Sequence, residues 1–238
     1  MANPVVLKLQ RGARLSVEDE RAIAEACSEM VRLGPREVLI REGENPTHVH
    51  VVVEGFACRY KELSDGGRQI LAWLVPGDFC DLHVAILGRM DHTVATISTS
   101  TIARLDRAAI ERVTSISPSL SRALWWASLV DEAILREWLL NMGRRPADQQ
   151  IASLFCELVW RLRTVGLVCD DEVLMPLTHV ELADTLGLSP VHVNRVLQQL
   201  REAGLIELQN KKLKVIDLSQ LMAFAEFDPG YLHLSAID

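Results

Sequence analysis

The side chains most capable of recognition chemistry lie between Thr178 and Lys212. Val191, His192, Arg195, Gln198 and Gln199 fall on one side of a stretch whose other side is Val193, Val196, Leu197 and Leu200. The apolar set has helical spacing, so the polar set faces outward from a helix. Arginine and glutamine carry the donor and acceptor forks that match base edges, and the same groups reach phosphates. Ser189 is the expected N-cap of this helix, and Pro190 sits at its first position, where a missing N–H costs nothing.

A second helix must sit just ahead of it. Leu182, Ala183 and Leu186 share a face, and Thr178 with Glu181 three residues later spells a capping box. Gly187 supplies the backbone freedom that a short helix–turn–helix corner needs. Downstream, Gly204 ends the outer helix, and residues 205–215 alternate around Asn210-Lys211 as a hairpin. Glycine-linked helix pairs also occur in all-helical cores. Two caps, a short turn and an attached wing together favour a reader of duplex DNA.

Charge tempers that reading. The net charge is −7, and residues 146–238 hold seven Lys/Arg against thirteen Asp/Glu. Within 189–216 the balance reverses, with Arg195, Arg201, Lys211, Lys212 and Lys214 against Glu202 and Glu207. Phosphate attraction acts over roughly one Debye length, about 8 Å at physiological salt, so a local basic strip can serve on an acidic chain. Modest non-specific affinity follows.

The 238 residues suffice for one large or two ordinary domains, and at 49% hydrophobic they can fill a core. No apolar run approaches the ~18 residues of a membrane span, and the N-terminus lacks a charged-then-apolar secretory pattern. Five scattered cysteines without a C-x-x-C pair fit free thiols in a reducing cytoplasm, and argue against a zinc knuckle or clustered iron–sulfur site.

Residues 16–31 start with a capping serine and an acidic turn and predict a leading helix. From Arg36 to Leu105 the pattern becomes short strands, 37–40, 49–53, 56–60, 69–74, 94–98 and 101–105, punctuated by Gly43, Gly55, Gly66-Gly67, Gly77 and Gly88. Such spacing makes an antiparallel roll or jelly roll. Residues 106–117 predict a short helix, and Pro118 opens a long one over 119–142. Its apolar band is too wide for a lone surface helix. One face can pack on the roll, while Ala123, Ala127, Val130 and Ile134 are the expected dimer seam. Residues 141–146 break the pattern and predict a hinge. Gln149–Leu162 is another apolar-faced helix, followed by a short strand from Val173. The fold class is therefore α+β, with three parts: a β-roll sensor domain over 1–117, a long dimerisation helix over 118–143, and a winged helix–turn–helix over 144–238.

This order of parts resembles the Crp/Fnr family of bacterial transcription regulators, over essentially the whole chain. The landmarks are Gly43-Glu44, Glu54-Gly55, Pro76-Gly-Asp-Phe79, the run from Asp148 to Leu158, the Ser189–Arg195 helix start and Phe227-Asp-Pro-Gly-Tyr-Leu-His233. The resemblance implies a homodimer with paired long helices, a palindromic double-stranded operator, RNA polymerase as a further partner, and no catalysis. It places the base-reading arginine on Arg195, phosphate contacts on Thr178, Ser189 and His192, and weaker ones on Lys211 and Lys212. Where a family pattern has Arg-Glu at the start of the recognition helix, this chain has Pro190-Val191. Val191 can pack only on a thymine methyl, so the half-site should differ from that of the cyclic-AMP receptor protein.

The sensor end departs further. Cyclic-nucleotide members place Gly-Glu just after Pro-Gly-Asp-Phe, and Arg-Ser about ten residues on. Here those places read Asp81-Leu82 and His92-Thr93. Leucine accepts no ribose hydrogen bond and a neutral histidine makes no bidentate phosphate clamp, so cyclic AMP is not the expected ligand. The oxygen-sensing branch needs clustered N-terminal cysteines, and Cys27 stands alone there. An unidentified small-molecule effector is expected in a pocket formed by Asp81, Leu82, His83, His92, Thr93 and Trp126. No cofactor or metal is assigned, although His48 and His50 share a strand face and His83, Asp91 and His92 lie near the pocket mouth. An alternative class is a cupin-like barrel metalloprotein with a structural helical appendage, for which His48, His50 and Glu54 are the nearest ligand set. It leaves Arg195 and the wing lysines unexplained.

Overall fold

In the computed structural model, which describes residues 3–169 and 172–234, the chain divides into two units. The first comprises residues up to Lys61 with Ala72–Glu132, and the second Glu62–Leu71 with Ala133–Leu232.

The first unit opens on helix α1 (Pro4–Leu9), capped by Asn3, whose side chain accepts from the Val5 N–H. Helix α2 (Val17–Ala26) starts at a capping box between Ser16 and Asp19. The expected helix to residue 31 stops there, with Cys27 as its C-cap. Residues Glu29–Leu33 instead form strand β1, because tertiary pairing overrides local propensity: Met30 and Val31 sit opposite Ala103 and Ile102. The remaining strands are β2 (Val38–Ile40), β3 (His48–Glu54), β4 (Ala57–Glu62), β5 (Arg68–Leu74), β6 (Thr93–Thr96) and β7 (Ser100–Asp106). They make two antiparallel sheets, β1-β7-β3 and β2-β6-β4-β5.

Strand periodicity explains how the two sheets share a core. Ile102 on β7 packs with Ile40, Val52, Ala57, Leu74 and Val94. Its neighbours Ala103 and Leu105 pack with Val5, Leu9 and Leu120 on the helical side. Successive side chains point to opposite faces, so one strand serves both layers. Gly55 makes the β3–β4 turn possible: its φ is +82°, and a Cβ there would lie 2.4 Å from the Thr99 carbonyl oxygen. Helix α3 (Val84–Leu87) follows β5, α4 (Arg107–Ile116) follows β7, and α5 (Pro118–Arg144) is the long helix. It runs without interruption through Gly143, so the expected 141–146 break narrows to Arg145 and Pro146.

The second unit continues with α6 (Ala147–Thr164), strand β8 (Glu172–Leu174), α7 (His179–Leu186), α8 (Pro190–Glu202), strands β9 (Ile206–Gln209) and β10 (Lys212–Val215), and α9 (Leu218–Ala225). Its wing sheet has three strands in the order β8-β10-β9, one more than the hairpin expected. The antiparallel roll, long helix and winged helix–turn–helix of the sequence reading are all present.

The interior of this unit holds a charge. Glu157 on α6 is 2% exposed, and its carboxylate accepts from Trp138 Nε1 at 2.9 Å, Arg161 Nη1 at 2.8 Å and the Tyr231 hydroxyl at 3.0 Å. Burial first, then the carboxylate beside it, pushes the Tyr231 phenol up, so it stays protonated as a donor. One carboxylate thereby joins α5, α6 and the 3₁₀ turn Pro229–Leu232. Removing it would take the acceptor from the buried Trp138 N–H and the Tyr231 hydroxyl and a charge partner from Arg161. Glu157→Ala should therefore lower the unfolding free energy of this unit by about 3–5 kcal/mol, read from urea denaturation. A loss below about 1 kcal/mol would show that the network is not structural.

Candidate nucleic-acid interface and sensor-end cluster

The helix–turn–helix forms as its caps dictate. Glu181 N–H donates to Thr178 Oγ1 at 3.2 Å, and Thr178 N–H donates to Glu181 Oε2 at 2.7 Å. Gly187 closes α7 at φ +66°. Ser189 Oγ accepts from His192 N–H at 3.2 Å, with Pro190 at the helix start. Leu182, Ala183, Leu186, Val193, Val196, Leu197 and Leu200 are all buried. The outward face of α8 carries Val191, Arg195, Gln198 and Gln199, all exposed, with His192 half-buried at its edge. Asn194 is exposed on the same face and was missed in the sequence reading. Its spacing, three residues after Val191 and one before Arg195, was the available signal. Gln198 is held by its own turn, donating to Glu202 Oε1 at 2.9 Å.

Thr178 and Ser189 spend their oxygens on caps, but each hydroxyl keeps its hydrogen for a phosphate. In the wing, Asn210 and Lys211 have φ of 51° and 62°, as a two-residue type I′ turn requires. Lys211 stands exposed at the tip. Lys212 Nζ pairs with Glu172 Oε1 at 2.6 Å across the β8–β10 ladder.

In the first unit, the residues expected to form an effector pocket separate into different roles. The turn from Pro76 to His83 is held by buried charge. Asp78 accepts from Val75 N–H at 2.7 Å and pairs with Lys8 Nζ at 2.5 Å. Asp81 is fully buried, accepts from His50 N–H at 2.6 Å and lies 2.8 Å from His50 Nδ1. Arg59 donates to the carbonyls of Phe79 and Cys80 and to Asp131, the last at 2.9 Å. Asp81 is thus occupied by His50. Thr93 Oγ1 accepts from the Glu42 N–H at 3.1 Å. Trp126 packs on Gly12, where an added Cβ would lie 2.8 Å from its side chain. Leu82 and His83 instead line a surface groove of about 390 Å³ with Ile86, Ile110, Leu124 and Trp125.

His92 lies beside His83, with ring centroids 5.4 Å apart. Burial first, then the Arg59 charge, holds both imidazoles below the ordinary histidine range, so both are neutral at pH 7. The other histidine set does not converge. His50 is committed to Asp81, His48 Nδ1 lies 2.9 Å from Thr47 Oγ1, and Glu54 accepts from Thr101 Oγ1 at 2.8 Å. Each has its own neighbour, as ordinary polar residues do, which removes the ligand set that a cupin-like centre would need.

The residues expected as the dimer seam are instead buried within the chain. Ala123, Ala127, Val130 and Ile134 are at most 6% exposed within a single chain. The most regular apolar stripe was chosen, and it is the stripe that the chain itself covers. Another stripe remains open: Trp125 (65% exposed), Leu135, Leu139 and Met142, with Ser128 and Glu132 completing an alternating three- and four-residue spacing. That is the a/d spacing of a helix seam.

Comparison with known proteins bears on both ends. Residues 30–116 match the model of the cyclic nucleotide-binding domain, and residues 149–224 that of the Crp-like helix-turn-helix domain. The transcriptional activator protein FnrL of Cereibacter sphaeroides is 31% identical over 200 residues, covering 81% of this chain and 78% of that one. The nitrogen fixation regulation protein FixK of Bradyrhizobium diazoefficiens is 29% identical over 196 residues, 82% and 81% of the two chains. The solved structure of FixK2 from Bradyrhizobium japonicum superposes with a TM-score of 0.72 at 24% identity, covering 82% of this chain and 96% of that one. Among the described residues, no helix is long and apolar enough to cross a membrane.

The cysteines offer no second chemistry at these sites. Burial pushes the Cys27 and Cys156 thiols up to about 12, and burial followed by Asp81 raises Cys80 as well. A thiol held protonated is a poor nucleophile. Cys58 is also buried, whereas Cys169 is exposed. Iodoacetamide at pH 7.5 should therefore label Cys169 quickly and the other four only after denaturation, as read by peptide mass spectrometry. Fast native labelling of Cys80 would contradict this account.

Proposed function

Since the chain belongs to the Crp/Fnr family of transcription regulators, we propose that it acts as a homodimer on a palindromic duplex, with one α8 helix in each of two successive major grooves. The observation that carries this reading is Arg195. It is exposed in mid-face of a doubly capped helix and, among the described residues, makes no ion pair there. A free guanidinium fork at that place suits guanine N7 and O6. Asn194 and Gln198 beside it suit adenine, and Val191 suits a thymine methyl. Thr178, Ser189, His192, Gln199 and Lys211 serve the backbone, and Lys212 contributes less because Glu172 holds it. Half-sites should lie about 34 Å apart, one turn of B-DNA.

Dimerisation uses the open stripe on α5. Trp125, Leu135, Leu139 and Met142 supply the apolar contacts, and the buried alanines are left to the chain's own core. Cyclic AMP is not the effector: the places for its ribose and phosphate contacts hold a carboxylate already spent on His50 and a neutral imidazole. A different small molecule acts at the sensor end. FnrL is named a transcriptional activator, which supports contact with RNA polymerase as the output, in the cytoplasm where the operator lies.

Selection from a random duplex pool with no added ligand should yield a palindrome. Arg195→Ala should cost about 1–3 kcal/mol, roughly 5- to 150-fold, and relax one base position per half-site. Lys211→Ala should weaken all sequences alike and lower the salt slope by about one. No enrichment at low salt, with or without Arg195, would refute DNA reading. In sedimentation, L135E combined with L139E should shift the protein to monomer while its circular dichroism stays native. A dimer that survives both substitutions would place the seam elsewhere.

A further inference from the structure

We propose that His83, Asp91 and His92 form a binding site for a divalent transition-metal ion of the imidazole-preferring class. One ligand-capable atom from each of the three lies within 4.8 Å of the other two. Both rings present a nitrogen with nothing to bind: His83 Nε2 and His92 Nε2 are buried and have no hydrogen-bond partner. The side chain of His92 is 10% exposed, so its Nε2 is shut away from water that could satisfy it.

The tautomer of His92 follows from its neighbour. Its Nδ1 lies 2.7 Å from Asp91 Oδ1, and a carboxylate only accepts, so Nδ1 carries the hydrogen. In a neutral ring that leaves Nε2 as a bare lone pair. A carboxylate that orients a histidine through its far nitrogen is the usual support of an imidazole ligand. His83 Nε2 stands 3.9 Å from the same Asp91 oxygen, too far for a hydrogen bond. Asp91 therefore serves as the support of His92, with the two Nε2 atoms as the ligands. Access exists as well, since Asp91 is 82% exposed and His83 about a third exposed at the rim.

The site is built by the fold. His83 immediately precedes α3, and Asp91 and His92 immediately precede β6, so an ion would fasten the two ends of the segment between them. Leu82 and His83 also line the groove that Leu124 and Trp125 of α5 complete. Two imidazole ligands favour zinc, iron(II), cobalt or nickel over magnesium or calcium, which take oxygen ligands. Two imidazole ligands leave coordination positions for water or a further ligand.

The test needs no operator, so its result is independent of DNA binding. Full-length protein stripped with EDTA is titrated with Zn²⁺ by calorimetry, and with Co²⁺ by visible absorption. One ion per chain is expected, with cobalt bands of mixed nitrogen and oxygen ligation and no heat with Mg²⁺. D91N, at an exposed residue, and H83Q should each weaken Zn²⁺ by at least about tenfold. His48→Gln should leave binding unchanged. Absence of Zn²⁺ binding would overturn the site, and so would binding that survives H83Q combined with D91N while circular dichroism stays native.

Discussion

The first unit depends on how one turn disposes of its charge. Between Pro76 and His83 the chain buries two carboxylates, and each is satisfied by groups from distant parts of the sequence. Asp78 draws Lys8 and the Val75 amide, Asp81 draws both the backbone and the ring of His50, and Arg59 ties the Phe79 and Cys80 carbonyls to Asp131. Burying a carboxylate without partners is prohibitive, so these contacts must form together or not at all. They fix α1 against the roll, anchor β3 and reach α5. They also leave the polar groups of this turn occupied by one another.

A second constraint governs α5. Its apolar residues are too many for one face, and the chain covers only part of them. Small side chains, Ala123 and Ala127, go inward, where α1 and the roll approach closely. Large ones, Trp125, Leu135 and Leu139, stay outside. Leu120 and Leu124 are buried beside those alanines, so position around the helix, more than size, decides which side chains face the chain's own core.

Local signals in the sequence were reliable where the structure is itself local. The capping box at Thr178, the Ser189 cap, the Gly187 corner and the Asn210-Lys211 turn depend on residues within four positions of one another, and all are readable. Elements decided by distant partners were not. Residues 29–31 read as helix until β7 is beside them, and α1 is too short to announce itself. At the sites, Arg195 was legible from helical spacing alone. The fates of Asp81, Thr93, Trp126 and Lys212 were not, because His50, Glu42, Gly12 and Glu172 reach them from more than thirty positions away. Glu157 carried no signal either, since an acidic residue in an apolar-faced helix reads as surface until Trp138 and Tyr231 enclose it.

The open stripe on α5 has a consequence for dosage. If it closes on a second copy, operator binding is a three-body event, two chains and one duplex. At chain concentrations below the dimer dissociation constant, occupancy then rises with the square of the amount of protein, and a twofold change in synthesis gives up to a fourfold change in occupied sites. The sharpness of the output would thus be set by one helix face, far from any base pair.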